Sequence, residues 1–278
     1  MLSKSKKETI SSLDQKRNVI HSKTGGWIPG TGVFSHGYSM LDELVGEKTY
    51  FQIMILNATG KLAEKPLADW VEAIYGCLSW PDPRIWCNQI GALAGVARTS
   101  VVAGTTAGIL AADSRSYGMY TLIEGTQLIQ KCYKQHTNGL SVKNIINLVI
   151  ESNKGKPNFM GYIRPIAKGD ERLERMEVIS QKLGFDEGMH LQLAYQIERE
   201  LQDRFNEGMN INGYISAFLS DQGFTSQEVY QIFSTLVMSG VTACHLEQNN
   251  KEPDFFLPLR CNDINYTGHS QRHIEIKK

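Results

Sequence analysis

Two arginines, Arg164 and Arg172, lie in a charged loop, FMGYIRPIAKGDER, between two stretches that have helical periodicity. A guanidinium presents a planar fork of donors that matches a carboxylate or a phosphate, and it stays protonated at any working pH. Arg164 therefore cannot act as a general base, but its fixed charge could stabilise an enolate or alkoxide oxygen. We expect this loop to hold an anion. The alternative is a solvated loop in which Arg172 pairs with Asp170.

A second set of polar and aromatic residues follows two prolines in WPDPRIWCN. The prolines predict a rigid turn before a helix whose first residues include Arg84, Trp86 and Asn88. An aromatic ring beside a guanidinium and an amide can line a pocket for a planar acyl group or a carboxylate. The alternative places Trp86 in the core and Arg84 at the surface.

Composition and charge disfavour several classes of protein. The 278 residues include 29 basic and 29 acidic side chains, so the net charge is zero. This balance argues against a nucleic-acid binder that relies on bulk charge. The five cysteines are odd in number and form no CxxC pair, so we expect neither a disulfide framework nor a metal site.

Targeting and nucleotide-binding signals are also missing from the sequence. No apolar run resembles a signal peptide or approaches a membrane span, so we predict a cytoplasmic protein with no membrane partner. The segment GWIPGTG has the glycines of a phosphate loop, but no strand precedes it and no GK[ST] follows it. We therefore do not expect a nucleotide there.

Helical periodicity covers nearly the whole chain after Leu41 and predicts an all-α fold. PLADWVEAIYGCLSW begins with Pro66, a good first-turn residue, and YFQIMILNATG ends at Gly60, which suits a helix C-cap. HLQLAYQIERELQDRF predicts an amphipathic helix with Tyr195 on its apolar stripe. SQEVYQIFSTLVMSGVTACHLEQ predicts one long helix with Ser226 as its N-cap.

Two further segments have distinctive compositions. IWCNQIGALAGVARTSVVAGTTAGILAA predicts two helices so rich in Gly and Ala that they can approach other helices closely, which favours a place at the centre of the fold. GGWIPGTGVFSHGYS is rich in Gly, Pro and Ser and predicts turns rather than helix.

Three stretches, taken together, resemble the citrate synthase family in its short form, which is similar to citryl-CoA lyases. They are HGYSMLDELVGEKTYFQIMILNATGKL, the loop FMGYIRPIAKGDER, and MNINGYISAFLSDQGF followed by a helix that ends in HLEQ. The loop is similar to the family's Gly-Phe/Tyr-Gly-His and Asp-Pro-Arg motifs, and the third stretch to its Asn-Val-Asp segment. Their order and spacing agree with the family over roughly residues 33–268.

The resemblance implies a citrate-synthase-like fold with a large domain, residues 1–112 and 208–278, and a smaller mobile domain, residues 113–207. It implies a coenzyme A thioester as substrate, bound between these domains, and a homodimer built from helices such as those at 84–112. By position, Arg172 would bind a substrate carboxylate beside Asp170. Gly161, Tyr162 and Lys168 would contact coenzyme A.

The sequence departs from the family at its catalytic positions. The loop histidine falls on Arg164, the aspartate of Asn-Val-Asp falls on Asn212, and a second histidine falls near Tyr117. Only Asp170 and Arg172 keep the family's residue types. The usual citrate synthase mechanism therefore cannot be carried over to this chain.

Three residues are candidates for the missing proton chemistry. Asn212 can orient a substrate or form a hydrogen bond but cannot accept a proton as a carboxylate does. The alternative is that Asn210 and Asn212 cap a helix that begins near Gly213. Tyr117 could donate a proton or a hydrogen bond, unless it is an ordinary core residue. Asp113 is a possible substitute base, or else a helix N-cap.

These observations lead to three hypotheses. The first is an acyl-CoA-dependent carbon–carbon lyase or synthase that acts on an oxoacid-like or citrate-like substrate with non-standard catalytic residues. The second is a non-catalytic protein on the same fold that binds coenzyme A or a carboxylate and has a regulatory role. The third is different chemistry that uses Tyr117 or Asp113.

Overall fold

The computed structural model describes residues 12–17, 20–116, 118–162, 169–252 and 261–274. The described chain is mostly helical, which confirms the all-α prediction. The helices are α1 (Tyr50–Thr59), α2 (Lys65–Leu78), α3 (Trp86–Val96), α4 (Val101–Ala112), α5 (Thr121–Thr137), α6 (Val142–Ser152), α7 (Glu171–Lys182), α8 (Met189–Phe205), α9 (Ile211–Asp221), α10 (Ser226–Phe233) and α11 (Met238–Asn249).

A small antiparallel sheet precedes the helices. Its strands are β1 (Gly25–Ile28), β2 (Gly32–Ser35) and β3 (Tyr38–Ser39), with β2 in the middle. Gly26 pairs with Phe34, and Phe34 also pairs with Ser39. A π-helical turn, Met40–Leu44, follows, and a 3₁₀ turn, Cys261–Asp263, lies near the other end of the chain. The segment predicted as turns thus contains three short strands joined by turns.

Several helix ends agree with the local signals in the sequence. Gly60 has the left-handed conformation of a C-cap after α1, and Pro66 lies in the first turn of α2. The predicted N-cap Ser226 is wrong by one residue, because Thr225 caps α10 in a capping box with Glu228. The single long helix predicted from Ser226 is two helices, α10 and α11, with a turn between them.

The structure contains two compact units. The first comprises residues 1–79 and 112–236, and the second comprises residues 80–111 and 237–278. These units do not test the predicted boundary of a small domain at 113–207, which stays a prediction.

The first unit has an aromatic core. Trp70 of α2 stacks on Phe218 of α9 with ring centroids 3.9 Å apart and planes 7° apart, and both side chains are buried. Trp70 also donates a hydrogen bond of 2.9 Å from Nε1 to the Ser180 hydroxyl of α7. Aromatic stacking and a paired indole N–H together fix α2, α7 and α9 against one another.

The second unit is built on close helix contacts. A Cβ at Gly91 or Gly108 would lie 2.7 Å or 2.3 Å from the Val241 side chain, so α3 and α4 both approach α11 at glycines. The predicted close approach of these helices is confirmed. Other residues of the same two helices remain exposed, among them Val102 and Leu110 at 71% and 70%.

One helical stretch, Ser226–Asn249, is long and apolar enough to cross a membrane by length and composition alone. A core helix of a soluble protein has the same composition, and 44% of the apolar window is buried in this structure. The stretch also includes the turn between α10 and α11. The stretch is therefore weak evidence for a membrane span, and the absence of a membrane partner stays a prediction.

Candidate functional site

Asp170 and Arg172 form an ion pair at the start of α7. Arg172 donates from Nε to Asp170 Oδ1 at 2.7 Å and from Nη2 to Oδ2 at 2.6 Å. The Asp170 side chain is fully buried, whereas that of Arg172 is 22% exposed. Asp170 is also the N-cap of α7, because its carboxylate accepts the backbone N–H of Arg172. The pairing that sequence analysis offered as the alternative is present, but it is buried rather than solvated.

The same carboxylate joins α7 to α9. The backbone N–H of Ile211, the first residue of α9, donates to Asp170 Oδ2 at 2.9 Å. Asn210 caps α9 by accepting from the N–H groups of Asn212 and Gly213 at 2.9 and 3.2 Å. Two helix N-termini therefore meet beside a guanidinium. Each helix N-terminus carries partial positive charge, so this place favours an anion.

The Gly161–Tyr162 turn packs directly on the start of α9. Gly161 has φ of +92°, its carbonyl accepts from Asn210 N at 2.9 Å, and a Cβ there would lie 2.8 Å from Gly213 Cα. The hydroxyl of Tyr162 donates to the Ala194 carbonyl of α8 at 3.0 Å, and burial raises the pKa of that hydroxyl well above its usual value. Tyr162 thus anchors the turn from inside the core.

Asn212 lies in the first turn of α9, between polar residues of two helices. Its amide nitrogen donates to Thr121 Oγ1 of α5 at 2.7 Å, and its amide oxygen accepts from Ser216 at 3.3 Å. The predicted helix start near Gly213 is wrong, since α9 begins at Ile211 and Asn210 alone is its N-cap. Asn212 holds α9 to α5, and its proposed catalytic role stays a prediction.

Asp113 lies on an exposed bend and contacts a tyrosine of α10. The Tyr230 hydroxyl donates to Asp113 Oδ1 at 3.1 Å. The pKa of that hydroxyl is raised by burial and then by the Asp113 carboxylate. This hydrogen bond occupies one oxygen of the Asp113 carboxylate, and the role of Asp113 as a substitute base stays a prediction.

The Asp82–Arg84–Trp86 turn belongs to the second unit. Arg84 pairs with Asp82 through Nη2 and Oδ2 at 2.6 Å, and the Arg84 side chain is 86% exposed. Trp86 donates from Nε1 to the Ala111 carbonyl at 3.0 Å and is 38% exposed. Arg84 is thus at the surface, as one alternative predicted, but Trp86 is not a core residue.

Three candidate residues, Tyr117, Arg164 and Lys168, lie outside the described residues. Their proposed roles stay predictions. Of the other candidates, the structure brings Gly161, Tyr162, Asp170, Arg172 and Asn212 together around the start of α9, whereas Asp113 lies before Gly118 and contacts α10.

Two further residues support this site without having been predicted. Thr121 holds the Asn212 amide, and Glu198 Oε1 of α8 accepts the backbone N–H of Met209 at 2.8 Å. Thr121 precedes Asn212 by 91 residues, so no local pattern relates the two. Within the described residues, no group of three His, Cys, Asp or Glu side chains could hold a metal ion.

Comparisons with known proteins test the fold. No protein-family model and no curated protein sequence matches this chain. The structure is similar to citryl-CoA lyase from Hydrogenobacter thermophilus, with a TM-score of 0.77 and 23% identity over 92% of this chain and 98% of that one.

Two larger proteins also share the fold. ATP citrate lyase from Methanothrix soehngenii, solved with citrate and coenzyme A, has a TM-score of 0.75 and 16% identity over all of this chain. This chain spans 46% of that protein's length. Citrate synthase from Thermoplasma acidophilum, solved with carboxymethyl coenzyme A and oxaloacetate, has a TM-score of 0.57 and 17% identity over 81% of this chain and 58% of that one. This chain therefore has the citrate-synthase-like fold that its sequence predicts.

Proposed function

We propose that this protein is an acyl-CoA-dependent carbon–carbon lyase or synthase of the citrate synthase family. Its substrates would be a coenzyme A thioester and a carboxylated compound similar to citrate or an oxoacid. Two kinds of observation support the proposal. The fold is shared with a citryl-CoA lyase and with an ATP citrate lyase solved with citrate and coenzyme A. The site at the start of α9 is suited to an anion.

The geometry of Arg172 carries the proposal. Asp170 occupies one edge of the guanidinium, through Nε and Nη2, and Nη1 has no hydrogen-bond partner in the described part of the chain. A guanidinium has five N–H donors in a fixed plane, and Asp170 fixes that plane. A ligand carboxylate can therefore bind the remaining edge without any cost for ordering the arginine.

The other candidates have roles that fit this chemistry. Arg164 would stabilise the oxygen of an enolate or alkoxide, and Lys168 would contact a phosphate of coenzyme A. Gly161 and Tyr162 would form the backbone turn against which the thioester lies. Tyr117 and Asp113 are the proposed proton donor and base, and Arg84 and Trp86 the proposed lining of a second carboxylate or acyl pocket.

Calorimetric titration with citrate, and separately with acetyl-CoA, tests the proposal. Replacement of Arg172 by Ala should weaken citrate binding about 10-fold to 100-fold, because a hydrogen bond to a charged group contributes about 1.5–3 kcal/mol. The fold should persist with reduced stability, because the buried Asp170 carboxylate loses its guanidinium partner but keeps the backbone donors of Ile211 and Arg172. Arg175→Ala, at an exposed position one turn along α7, is the matched control and should leave binding unchanged. No heat from either ligand with the unaltered protein would contradict the proposal.

A second candidate is a non-catalytic protein that binds coenzyme A or a carboxylate. The position of Asn212 favours it, because an amide there holds Thr121 and Ser216 and cannot accept a proton. Thiol release from acetyl-CoA in the presence of oxaloacetate, or from citryl-CoA, separates the two candidates. Turnover that Arg164→Ala abolishes supports the enzyme, and ligand binding without turnover supports the regulatory protein.

We further propose that the protein is a homodimer through α3 and α4. These helices pack on α11 by their glycines and expose Leu93, Val102 and Leu110 at 45%, 71% and 70%. An apolar face of this kind is stabilised by a second copy. Analytical ultracentrifugation should show a dimer, and the double variant Val102→Glu, Leu110→Glu should be monomeric. A monomer at every protein concentration in the unaltered protein would contradict this proposal.

A further inference from the structure

A cavity of about 160 Å³ lies between α7, α8 and α9, inside the first unit. Its lining comes from the second half of α7, the connection to α8, and α8 and α9 themselves: Glu177, Ser180, Gln181, Phe185, Asp186, Glu187, Leu191, Tyr195, Tyr214 and Phe218. A cavity of about 150 Å³ can hold a molecule the size of benzene. This cavity therefore has room for a ligand built on one six-membered ring.

Aromatic rings form one wall of the cavity. Phe218 is held by its stack on Trp70, and Phe185 meets Phe218 edge-on with centroids 5.1 Å apart and planes at 82°. Tyr195 and Tyr214 complete the wall. Rings fixed in this way offer apolar surface to a hydrocarbon and an electron-rich face to a cation.

Three carboxylates, Glu177, Asp186 and Glu187, lie at the same cavity, and among the residues that the structure describes its lining includes no Lys, Arg or His. In the part of the chain that the structure describes, none of the three forms a salt bridge. The Tyr195 hydroxyl donates to Glu177 Oε1, which leaves the other oxygen for a different donor. Burial, and after it the Glu177 and Glu187 carboxylates, raises the pKa of Tyr214 to about 12. The cavity is therefore at negative potential.

At this cavity, one buried hydroxyl hydrogen has no acceptor among the described residues. Ser180 and Tyr214 are 7% and 0% exposed, and their hydroxyl oxygens are 3.0 Å apart. Trp70 Nε1 donates to the Ser180 oxygen, so Ser180 and Tyr214 have two hydroxyl hydrogens but only one hydrogen bond between them. Whichever residue donates in that bond, one hydrogen remains. A buried donor without an acceptor is costly, so an oxygen inside the cavity would stabilise it.

We propose that this cavity binds a small organic ammonium compound that carries an oxygen acceptor at its far end. The ammonium group contacts Glu177 and Glu187, the hydrocarbon part lies against the aromatic wall, and the oxygen accepts the remaining hydroxyl hydrogen of Ser180 and Tyr214. This site is additional to the proposed anion site at the first turns of α7 and α9, and it takes a ligand of opposite charge.

Calorimetric titration at fixed ionic strength tests the proposal with four probes of one ring size. They are cyclohexylammonium, trans-4-aminocyclohexanol, cyclohexanol and cyclohexanecarboxylate. We expect the two ammonium probes to bind, with the amino alcohol about fivefold tighter because it accepts one more hydrogen bond. Cyclohexanol should bind about tenfold more weakly than the amino alcohol, and the carboxylate should not bind.

Charge-removing variants locate the binding. Glu177→Gln keeps an acceptor for Tyr195 but removes the charge, and Glu187→Gln changes an exposed residue that cannot unfold the chain. Each should weaken the amino alcohol about tenfold, whereas Glu174→Gln, exposed on the same helix α7 but outside the cavity, should change nothing. The proposal is overturned if the unaltered protein binds neither ammonium probe, if cyclohexanol binds as tightly as the amino alcohol, or if Glu174→Gln weakens binding as much as the two cavity variants do.

Discussion

Two turns of this chain have the same local structure in different surroundings. Asp82-Pro83-Arg84 and Asp170-Glu171-Arg172 each place an arginine two residues after an aspartate, and in both the arginine Nη2 lies 2.6 Å from the aspartate Oδ2. In both, the aspartate also accepts the arginine's backbone N–H. The arginine side chain is 86% exposed in the first turn and 22% exposed in the second, whereas both aspartate side chains are largely buried, at 9% and 0%.

The difference lies in what else each aspartate contacts. The carboxylate of Asp170 accepts the N–H of Ile211 from another helix, whereas within the described residues the Asp82 carboxylate accepts only from Arg84. An ion pair in solvent contributes little to stability, but breaking a buried one leaves a charge without compensation. The Asp-X-Arg spacing is thus sufficient to form the ion pair, and the surroundings of the pair determine how much it contributes to stability.

Replacement of each aspartate by alanine should give the largest difference in stability between the two turns. Asp170→Ala leaves Arg172 unpaired and removes both the α7 cap and the Ile211 contact, so we expect a loss of about 3 kcal/mol in the free energy of unfolding. Asp82→Ala should lose much less. Urea unfolding followed by circular dichroism measures both. Equal losses in the free energy of unfolding would show that the surroundings of the pair do not matter. The double variant Asp170→Ala, Arg172→Ala should be less destabilised than Asp170→Ala alone.

The packing around the buried turn gives the next effect. Gly161→Ala must place a Cβ 2.8 Å from Gly213 Cα at a φ of +92°, so we expect a loss of about 2–3 kcal/mol from backbone strain and contact together. Gly155→Ala is the matched control, with a φ of +81° and no atom within 4 Å of the new Cβ. It should lose only about 1 kcal/mol, by the same unfolding measurement. If the two variants lose equal amounts, the contact with Gly213 is unimportant.

Replacement of each arginine by lysine should give a smaller difference in stability between the two turns. Arg172→Lys keeps the charge but cannot form two parallel hydrogen bonds with Asp170, and we expect a loss of about 1 kcal/mol in stability. Arg84→Lys, largely in solvent, should leave the urea midpoint unchanged. A measurable shift for Arg84→Lys, or none for Arg172→Lys, would contradict the distinction between the two pairs.

The smallest effect concerns the pH dependence of the Asp82–Arg84 pair, whose arginine is exposed. Hydrogen bonds from Arg84 hold the pKa of Asp82 below its ordinary value of 3.8. Because the folded pKa is the lower one, the pair stabilises the protein above the unfolded pKa, and this stabilisation is lost as the pH falls through the folded value. NMR titration of the Asp82 carboxyl should show a midpoint below 3.8 that returns toward 3.8 in Arg84→Ala. An unchanged midpoint in the variant would show that Arg84 does not cause the lowered pKa of Asp82.

The sequence predicts the structural features that depend on residues close together in the chain. The fold class follows from helical periodicity, and the Gly60 cap, the Asn210 cap and the Asp170–Arg172 pair follow from residue types within a few positions. The bond from Asn212 to Thr121 and the bond from Ile211 to Asp170 join residues 91 and 41 positions apart, and no local pattern contains them. Tyr195 shows the same limit, because its helical spacing predicts the apolar stripe but not the hydroxyl bond to Glu177.

The backbone N–H of Ile211 has a practical consequence as a reporter. It donates to the same aspartate oxygen that Arg172 Nη2 contacts, so a carboxylate that binds the other edge of the guanidinium would change the electrostatic environment of this amide. Its amide proton chemical shift and hydrogen-exchange rate would then register occupancy of the arginine without any label on the ligand. A single amide resonance at the start of α9 is enough to follow the titration.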